Sequence, residues 1–515
     1  MHKTTYFSWR PDVQVIYGAK RAAVYDFRTE DVYSLNSLAA GIVRSVDRTV
    51  PVEMIQPNHI PFLVWLQKLD LIELRDTPVV NRNEQSKSGG HPLDFLWLEL
   101  GEDCNLGCAH CYAESQNPAL FGQKRSSSTG SSMTIGDWEL VLKQASELGC
   151  HEVQFTGGEV LLYRDLIKLI DVAKNNGFDF IEVYTNGMLL TEQKVKAFAE
   201  RNVHLAVSLH GTQAETHEAV TGLRGSFEYT LAGLKRAKEN AIPVRIAGVA
   251  VSVNQHDIVN LPTFANSIGF PEVRFDVVRE VGSGSEATLM PDDPKVLAEK
   301  WLTSPVFSAN REEYEHNRNW NPCWAGKLTI TNNGDVIPCI MGRTEVIGNV
   351  KEKSLDEMIS EPKLASLWGL TKDQIDVCRD CEYRYVCGDC RPLAIARGDL
   401  HGSMPRCTYD PYKGKWKPLV GMEDNMQLEG MEPKIERVPK PPSSEKVLFD
   451  CEPDSSPTKS KRIIRDPKSP SPNRTEADEE ESNDPKRNVD KEIKQPAKTK
   501  RRRSNTVKFG CDPDR

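Results

Sequence analysis

Three cysteines lie close together in the sequence, with a spacing that suits an iron–sulfur cluster. They are Cys104, Cys108 and Cys111, in the segment CNLGCAHC. Cysteine thiolates hold such clusters, and three of them would leave one iron of a [4Fe–4S] cubane without a protein ligand. A structural zinc ion normally takes four protein ligands, and no fourth cysteine lies nearby. The spacing therefore favours a cluster with one open iron.

A second group of cysteines occupies the region from residue 323 to residue 407. Its members are Cys323, Cys339, Cys378, Cys381, Cys387, Cys390 and Cys407. Paired CxxC units are also typical of zinc, so the spacing alone leaves zinc and iron–sulfur clusters open. The N-terminus lacks the apolar core of a signal peptide, and we expect a cytoplasmic chain. In that reducing compartment clustered cysteines hold metal more often than they form disulfides.

The elements around the first cysteine group alternate between strands and helices. Candidate strands cover residues 95–100, 152–155, 180–184, 204–209, 244–251 and 272–278, with amphipathic helices between them. Six strands alternating with helices predict an α/β fold with a parallel sheet, either open and doubly wound or a partial barrel.

The CxxxCxxC signature resembles that of the radical S-adenosylmethionine (SAM) superfamily. The supporting motifs are TGGE at 156–159, TNG at 185–187, SLHG at 208–211 and RGS at 224–226. The first three follow predicted strands, at the edge where parallel sheets and barrels gather ligand sites. The resemblance implies a partial (β/α)6 TIM-like barrel over residues 93–300.

The resemblance also implies roles for individual residues. Gly157, Gly158 and Glu159 would contact the methionine amino group of SAM, with Asn186 beside them. Ser208 would contact the ribose or methionyl part, and Arg224 would pair with the carboxylate. The backbone near His110 and Gly248 would line the adenine. The family often has Asp where His210 stands, so His210 receives no role. Asp276 on the sixth strand is a candidate catalytic, substrate-facing acid, with a structural carboxylate as the alternative.

The second cysteine group resembles the SPASM extension, which would cover residues 301–412 and bind two auxiliary [4Fe–4S] clusters. Three clusters and SAM are then the expected cofactors. By resemblance, the first auxiliary site uses Cys323, Cys339 and Cys390, and the second uses Cys378, Cys381, Cys387 and Cys407. Two residues separate Cys387 from Cys390 where the family usually has three. No cysteine lies shortly before Cys323, which leaves a fourth thiolate for the first auxiliary site unassigned.

Residues 1–76 form a separate unit, followed by a polar linker over residues 77–92. Short strands at 13–17, 22–26 and 31–35, followed by helical patterns at 37–46 and 61–69, predict a winged-helix-like arrangement. The segment resembles the PqqD-like recognition domains of peptide modification systems, which bind a leader peptide by strand addition. A plain winged helix that binds DNA or only packs is the alternative. The formal net charge of −8 argues against a nucleic-acid partner.

The order of these units resembles that of radical SAM peptide maturases. They cleave SAM reductively to a 5′-deoxyadenosyl radical and modify a ribosomally made precursor peptide, by thioether, carbon–carbon or carbon–oxygen crosslinks or by oxidation of side chains. Such an enzyme would need a precursor peptide and an electron donor such as flavodoxin or ferredoxin. The alternatives are a formylglycine-generating enzyme like the anaerobic sulfatase maturases, and a non-catalytic iron–sulfur scaffold. No apolar run is long enough for a membrane span.

The last region, residues 413–515, is rich in charge and proline and poor in aromatic residues, and we expect it to be disordered. It contains an internal repeat, V-x-F-x-C-[ED]-P-D, at 447–454 and again at 507–514. The repeat is either a duplicated docking motif or a fused substrate whose Cys451 and Cys511 become linked to neighbouring acidic residues.

Overall fold

The structure is a computed structural model that describes residues 4–78, 90–115, 132–419 and 432–441. All of these residues belong to one compact unit. Most of the predicted linker and both tail repeats lie outside the described residues.

The N-terminal domain is a small antiparallel sheet with two helices packed on one face. Its elements are β1 (Tyr6–Trp9), β2 (Val13–Tyr17), β3 (Ala22–Asp26), β4 (Asp31–Leu35), α1 (Ser37–Asp47), α2 (Ile60–Lys68) and β5 (Ile72–Arg75). Strands β2, β3 and β4 pair in that order, and β1 pairs with β5. Helix α1 begins after Asn36, whose side chain accepts a hydrogen bond from the Ala39 amide. The predicted winged-helix-like arrangement is confirmed, with β1 as an additional strand.

The central domain is a six-stranded parallel sheet whose strands are neighbours in chain order. They are β6 (Phe95–Glu99), β7 (Glu152–Thr156), β8 (Phe180–Thr185), β9 (His204–Ser208), β10 (Val244–Ala250) and β11 (Val273–Val277). The intervening helices are α3 (Ile135–Glu147), α4 (Leu166–Asn175), α5 (Glu192–Ala199), α6 (Ala214–Thr221), α7 (Ser226–Glu239), α8 (Gln255–Ile258) and α9 (Leu261–Ser267). Strands β6 and β7 are buried along their whole length, because both faces of a parallel sheet are covered. The predicted partial (β/α)6 barrel is confirmed.

The cysteine-rich region continues the central sheet. Strand β12 (Lys327–Ile330) pairs parallel to β6, and β13 (Asp335–Ile337) and β14 (Gly348–Asn349) follow antiparallel, giving nine strands in all. Its helices are α10 (Pro294–Lys300), α11 (Arg311–Asn319), α12 (Leu355–Ile359), α13 (Pro362–Trp368) and α14 (Arg391–Ala396). The cysteine-rich region is therefore joined to the strand that precedes Cys104.

The region that the composition predicts to be disordered contains two ordered segments. Strand β15 (Tyr409–Asp410) pairs with β16 (Lys415–Trp416), and β17 (Ile435–Arg437) pairs antiparallel with β4. The prediction that disorder begins at residue 413 is wrong for residues 413–419 and 432–441, because tertiary contacts hold segments whose composition is unfavourable. For the rest of the tail it stays a prediction.

Candidate active site

The loop that carries Cys104, Cys108 and Cys111 is fixed by backbone hydrogen bonds from two sides. The Gly107 amide donates to the Thr221 carbonyl at 2.9 Å, at the end of α6. The Glu159 amide donates to the Asp103 carbonyl at 2.8 Å, from the loop after β7. The end of α6 and the loop after β7 thus determine the position of the cysteines.

Gly158 is required for this close approach. A Cβ atom at residue 158 would overlap the backbone carbonyls of Glu102 and Asp103. Gly157 meets the carbonyl of Gly101 in the same way and has φ of 146°. A side chain at either glycine would push the TGGE segment away from the cysteine loop.

The three cysteine thiols lie near one another and are partly buried. Burial raises the pKa of Cys104 to about 12, and burial together with the nearby Cys104 and Cys111 raises the pKa of Cys108 well above its usual range. Thiolates at these positions need a positive partner, because an isolated charge is costly to bury. A bound metal cluster supplies such a partner.

Glu159 is a buried carboxylate that already has three protein donors. The Leu161 amide at 3.0 Å and the Thr185 hydroxyl at 2.6 Å donate to Oε1, and the Asn186 amide donates to Oε2 at 2.9 Å. Burial raises the pKa of Glu159, and these donors oppose that effect. A carboxylate offers about four lone-pair sites, so one remains for a ligand ammonium group.

Asn186 connects the end of β8 to the cysteine loop. Its side-chain amide donates to the Asn105 side-chain oxygen at 2.7 Å, and its own side-chain oxygen accepts from the Met188 amide. The structure therefore gives Asn186 a role in positioning the loop. Its contact with SAM stays a prediction.

The remaining predicted SAM contacts lie at the same end of the barrel. Ser208, at the end of β9, donates a hydrogen bond to the Tyr184 hydroxyl. Arg224 is exposed between α6 and α7, two residues after Gly222, which approaches Gly107. A Cβ at Gly248 would meet Leu261 on the helix side, so only the backbone of residue 248 is offered to a ligand.

Three histidines meet at the mouth of the barrel. The rings of His110 and His210 are 4.8 Å apart, and those of His210 and His217 are 5.8 Å apart. Burial lowers the pKa of His110 and that of His217 to about 4, and burial together with these two neighbours lowers the pKa of His210 well below its usual range. The Nδ1 atom of His210 accepts from the Val249 amide, which ties β9 to β10. All three side chains are therefore neutral at pH 7, and His210 has a structural role.

Asp276, the predicted substrate-facing acid, forms two ion pairs, and its role at the substrate stays a prediction. Arg406 Nη1 lies 2.6 Å from Oδ1 and Arg279 Nη2 lies 2.8 Å from Oδ2. Although burial alone would raise it, these two guanidinium groups hold the pKa of Asp276 well below its usual range. Such a carboxylate carries no proton to donate near pH 7. It joins β11 to the residue before Cys407.

The four cysteines predicted for the second auxiliary site lie together. These cysteines are Cys378, Cys381, Cys387 and Cys407. Each thiol is close enough to others of the four for their charges to interact. Burial raises the pKa of Cys387 to about 12, and the nearby Lys372 opposes that effect. The structure thus groups these residues as the spacing suggests.

Two of the three cysteines predicted for the first auxiliary site are in contact. Cys323 donates a hydrogen bond to Cys390, and this bond lowers the pKa of Cys390 against the effect of burial. Cys339 is buried in the same hydrophobic core against which Cys323 packs. The identity of a fourth ligand for this site stays open.

A buried charge network lies between the two auxiliary sites. Asp389 pairs with Lys372 at 3.3 Å and accepts from Arg391 at 2.6 Å, and these side chains are at most 1% exposed. Arg391 is near both Cys378 and Cys323. Two cations around one carboxylate leave one excess positive charge beside the cysteines.

Sequence reasoning missed Arg343, which connects the cysteine-rich region to the first cluster loop. Its guanidinium donates to Glu99 at 2.8 Å, at the end of β6, and lies 5.8 Å from the centre of the Tyr112 ring. A single arginine in an irregular loop carries no sequence signal that could have singled it out.

The cysteines and their surroundings fit iron–sulfur clusters and SAM. Within the described ranges, no three His, Cys, Asp or Glu side chains converge as they would around a single metal ion. A cubane spreads its thiolates over different irons, so this finding agrees with cluster ligands. The unpartnered, buried Nδ1 of His110 and the glycine-lined approach beside Glu159 are suited to an adjacent polar ligand.

Comparison with known families identifies the central domain. The profile of the radical SAM superfamily matches residues 98–263. The chain is a radical SAM enzyme. The profile of the SPASM iron–sulfur cluster-binding domain matches residues 323–382. SAM and [4Fe–4S] clusters are therefore its cofactors.

Curated relatives share most of this architecture. PqqA peptide cyclase of Gluconobacter oxydans is 27% identical over 359 residues, which are 66% of this chain and 96% of the relative. The subtilosin biosynthesis protein AlbA of Bacillus subtilis is 24% identical, over 66% of this chain and 76% of the relative. An AdoMet-dependent heme synthase of Methanosarcina barkeri is 25% identical, over 62% and 98%.

Among solved structures, Streptococcus suis SuiB bound to its precursor peptide SuiA aligns with a TM-score of 0.47 and 17% identity, over 77% of this chain and 98% of that one.

In the described part of the radical SAM enzyme, no helix combines the length and the apolar character needed to cross a membrane.

Proposed function

We propose that this radical SAM enzyme modifies a ribosomally made peptide, by crosslinking or oxidising side chains, after docking it through the N-terminal domain. The observation that carries the proposal is the packing of that domain against the cluster-bearing region. The outer face of its sheet, including Tyr25 and Val32, forms one hydrophobic core with Phe307, Tyr383 and Tyr409. The Tyr25 hydroxyl donates to the Glu382 carbonyl at 2.7 Å, next to Cys381.

The shape of the N-terminal domain supports peptide recognition of the PqqD-like kind. A small antiparallel sheet with helices on one face can take up an extended strand at its edge, as it takes up β17 at β4. The names of two relatives, a peptide cyclase and a bacteriocin biosynthesis protein, agree with a peptide substrate. The heme synthase relative is named for a different product, so the N-terminal domain is the feature that favours a peptide here.

The bound cofactors would supply one chemical step: reductive cleavage of SAM to a 5′-deoxyadenosyl radical that removes a substrate hydrogen atom. The protein's contribution is to hold three cysteines on one loop and to leave a polar acceptor at Glu159 for the ligand amine. Arg343 and the glycines at 157 and 158 keep that loop in place. The second cysteine group would hold the two auxiliary clusters.

We further propose a cytoplasmic location and a flavodoxin- or ferredoxin-like electron donor. Reducing conditions preserve free thiols such as those of the ten clustered cysteines. A small redox protein would deliver the single electron that each SAM cleavage consumes.

The test is anaerobic turnover of the reconstituted enzyme with SAM and a reductant. We expect 5′-deoxyadenosine from the wild type and none from Cys104→Ala. The matched control is Cys150→Ala, because Cys150 is a buried cysteine outside both cysteine groups, with its thiol 3.4 Å from the Glu152 carbonyl. Cys150→Ala should retain both its iron content and its SAM cleavage.

The products separate this proposal from its alternatives. A peptide that loses hydrogens, detected by mass spectrometry, supports peptide maturation. Conversion of a cysteine or serine to an aldehyde would favour a formylglycine-generating enzyme. Absence of SAM cleavage by a fully loaded wild type would favour a scaffold and would overturn the proposal.

A further inference from the structure

The edge of the N-terminal sheet beside α1 is occupied by a strand of the same chain. Strand β17 pairs antiparallel with β4, with Ile435 opposite Leu35 and Arg437 opposite Tyr33. The strand order is β17-β4-β3-β2, so β17 covers the edge that β4 would otherwise present. Strand addition places a bound peptide at such an edge. A peptide that docks on β4 therefore has to take the place of β17.

The opposite edge of this sheet meets the cysteine-rich region. At the end of β2, the Tyr17 carbonyl accepts a hydrogen bond from Arg384 at 3.0 Å. Two residues later, the Ala19 amide donates to the Asp380 carbonyl at 2.8 Å. These contacts occupy the end of β2 with protein partners. The edge of β4 is therefore the better place for an added strand.

The hydrogen bonds that hold the segment use its backbone atoms. The Asn36 side chain donates to the Glu432 carbonyl at 2.8 Å and accepts from the Lys434 amide at 3.1 Å. The Asn36 amide donates to the Lys434 carbonyl at 3.2 Å, and the Val438 amide donates to the Val32 carbonyl at 2.8 Å. Because these bonds do not depend on the side chains of the segment, another extended peptide can form the same set.

Side chains of the segment add selectivity to this backbone recognition. Ile435 is 8% exposed and belongs to the core beneath α1 and α2, and Val438 is 3% exposed and belongs to the core shared with the cysteine-rich region. Arg437 and Lys440 both pair with Asp31, whose side chain is 5% exposed. The edge thus selects an aliphatic residue followed two positions later by a basic one, twice in succession.

The segment makes few buried contacts compared with the strand that it covers. Between residues 434 and 440 only Ile435 and Val438 are buried, and Arg437 exposes 60% of its side chain. By contrast, four of the five residues of β4 are buried. A segment with few buried contacts opens at a lower free energy than the core of its domain. The segment can therefore leave while β2, β3 and β4 stay paired.

We propose that the edge of β4 is an exchangeable peptide site: residues 432–441 occupy it in the free enzyme, and a precursor peptide with the same pattern of aliphatic and basic residues displaces them. The inference rests on the proposed function and states the chemistry of the peptide that the enzyme takes. Competition of this kind weakens binding in proportion to the time that the site is free. A segment bound for about nine-tenths of the time would weaken peptide binding about tenfold.

The experiment measures peptide binding to the full chain, loaded with clusters, by fluorescence anisotropy under anaerobic conditions. The probe is a labelled synthetic peptide with the sequence of residues 432–441, EPKIERVPKP. The protein variant Ile435→Asp places a charge in the core beneath α1 and should free the edge of β4. We expect the probe to bind this variant at least about tenfold more tightly than it binds the wild type.

Two further variants make the result specific to the segment. Glu436→Ala is the matched control, since Glu436 is exposed on the same strand, and it should bind the probe as weakly as the wild type does. Arg437→Glu removes the pair with Asp31 without entering a core, and it should also strengthen probe binding. A probe that itself carries Arg437→Glu should bind the Ile435→Asp protein more weakly than the native probe, because Asp31 would repel it.

Hydrogen exchange measures whether the segment leaves alone. In the wild type, the amides of Lys434 and Val438 should exchange faster than the amides of β3, because local opening is enough to expose them. In Ile435→Asp they should lose protection while β3 keeps it. If the segment and β3 exchange at the same rate, or if Ile435→Asp and Arg437→Glu both remove the protection of β3, the segment is a fixed part of the fold and the exchange is refuted.

The binding data can also contradict the proposal. Equal affinity of the probe for the wild type and for a variant whose segment has lost protection would show that the two do not share a site. Failure of the probe to bind such a variant, or retained protection of the segment in both variants, would overturn the exchange as well. None of these measurements depends on SAM cleavage, so peptide modification would then use another docking surface. Absence of peptide modification by the wild type contradicts the proposed function and leaves the binding result unchanged.

Discussion

Replacement of Asp389 by asparagine should strongly destabilise the cysteine-rich region. Asp389 is the only carboxylate that the described residues place against both Lys372 and Arg391, and all three side chains are at most 1% exposed. Asparagine is nearly isosteric, so packing would be retained while the two buried cations lose their counter-charge. Removing one partner from a buried ion pair typically costs about 3–5 kcal/mol.

The lowered pKa of Asp389 gives a second value for the stability that this network contributes. Lys372 and Arg391 lower the pKa of Asp389 to about 2, against the effect of burial. A folded-state pKa about two units below the unfolded value contributes roughly 2–3 kcal/mol of stability. That contribution is present above about pH 4 and is lost as the pH falls toward 2. We therefore expect a loss of about 2–5 kcal/mol at pH 7.

The assay is anaerobic urea denaturation of the loaded enzyme at pH 7, with cluster absorbance and tryptophan fluorescence as signals. The matched control is Asp376→Asn, because Asp376 pairs with Arg379 and both side chains are more than half exposed. Exposed pairs contribute below about 1 kcal/mol. If Asp389→Asn and Asp376→Asn unfold at the same urea concentration, the reasoning about the buried network is wrong.

Four further predictions test other parts of the structure. Gly158→Ala should prevent the first cluster from being held, measured as the loss of one cluster's iron, whereas Gly41→Ala, at a glycine of α1 with open space around it, should retain the iron. Lys372→Met removes a buried positive charge beside Cys387, so an auxiliary reduction potential measured by electron paramagnetic resonance titration should become more negative. Asp276→Asn removes the counter-charge of Arg406 and Arg279, so it should lower the urea midpoint of the loaded enzyme; an unchanged midpoint together with lost substrate modification would instead support the predicted substrate-facing role. Asn36→Ala should lower stability by about 1 kcal/mol through the lost cap of α1 and should increase hydrogen exchange at Lys434, measured by mass spectrometry.

Much of the fold could be predicted because local sequence patterns indicate its strands and helices. The alternation of candidate strands with amphipathic helices predicted all six barrel strands, and the capping box of Thr134 and Asp137 marked the start of α3. The resemblance to the SPASM extension grouped Cys378, Cys381, Cys387 and Cys407, which the structure brings together. Each of these signals lies within a short stretch of sequence or repeats a known spacing.

The features that could not be predicted depend on contacts between distant residues. Strand β17 lies in a proline-rich, charged segment, and its order comes from Asn36 and the cores around it. The ion pairs of Asp276 use Arg406, which is 130 residues away, so the sequence could not show that the carboxylate is already paired. Arg343 contacts Glu99 across 244 residues of sequence, without any pattern to reveal the contact.

Because helices cover one face of the N-terminal sheet and the cysteine-rich region covers the other, the sheet cannot swing away without exposing aromatic side chains such as Tyr25 and Tyr383. The strand edge of β4 is therefore at a fixed distance from the cysteines. For a strand docked there, the number of residues that follow it would determine which residue reaches the cysteines. Lengthening the stretch between a docked strand and its reactive residue should then shift which residue is modified, while the strand stays bound as before.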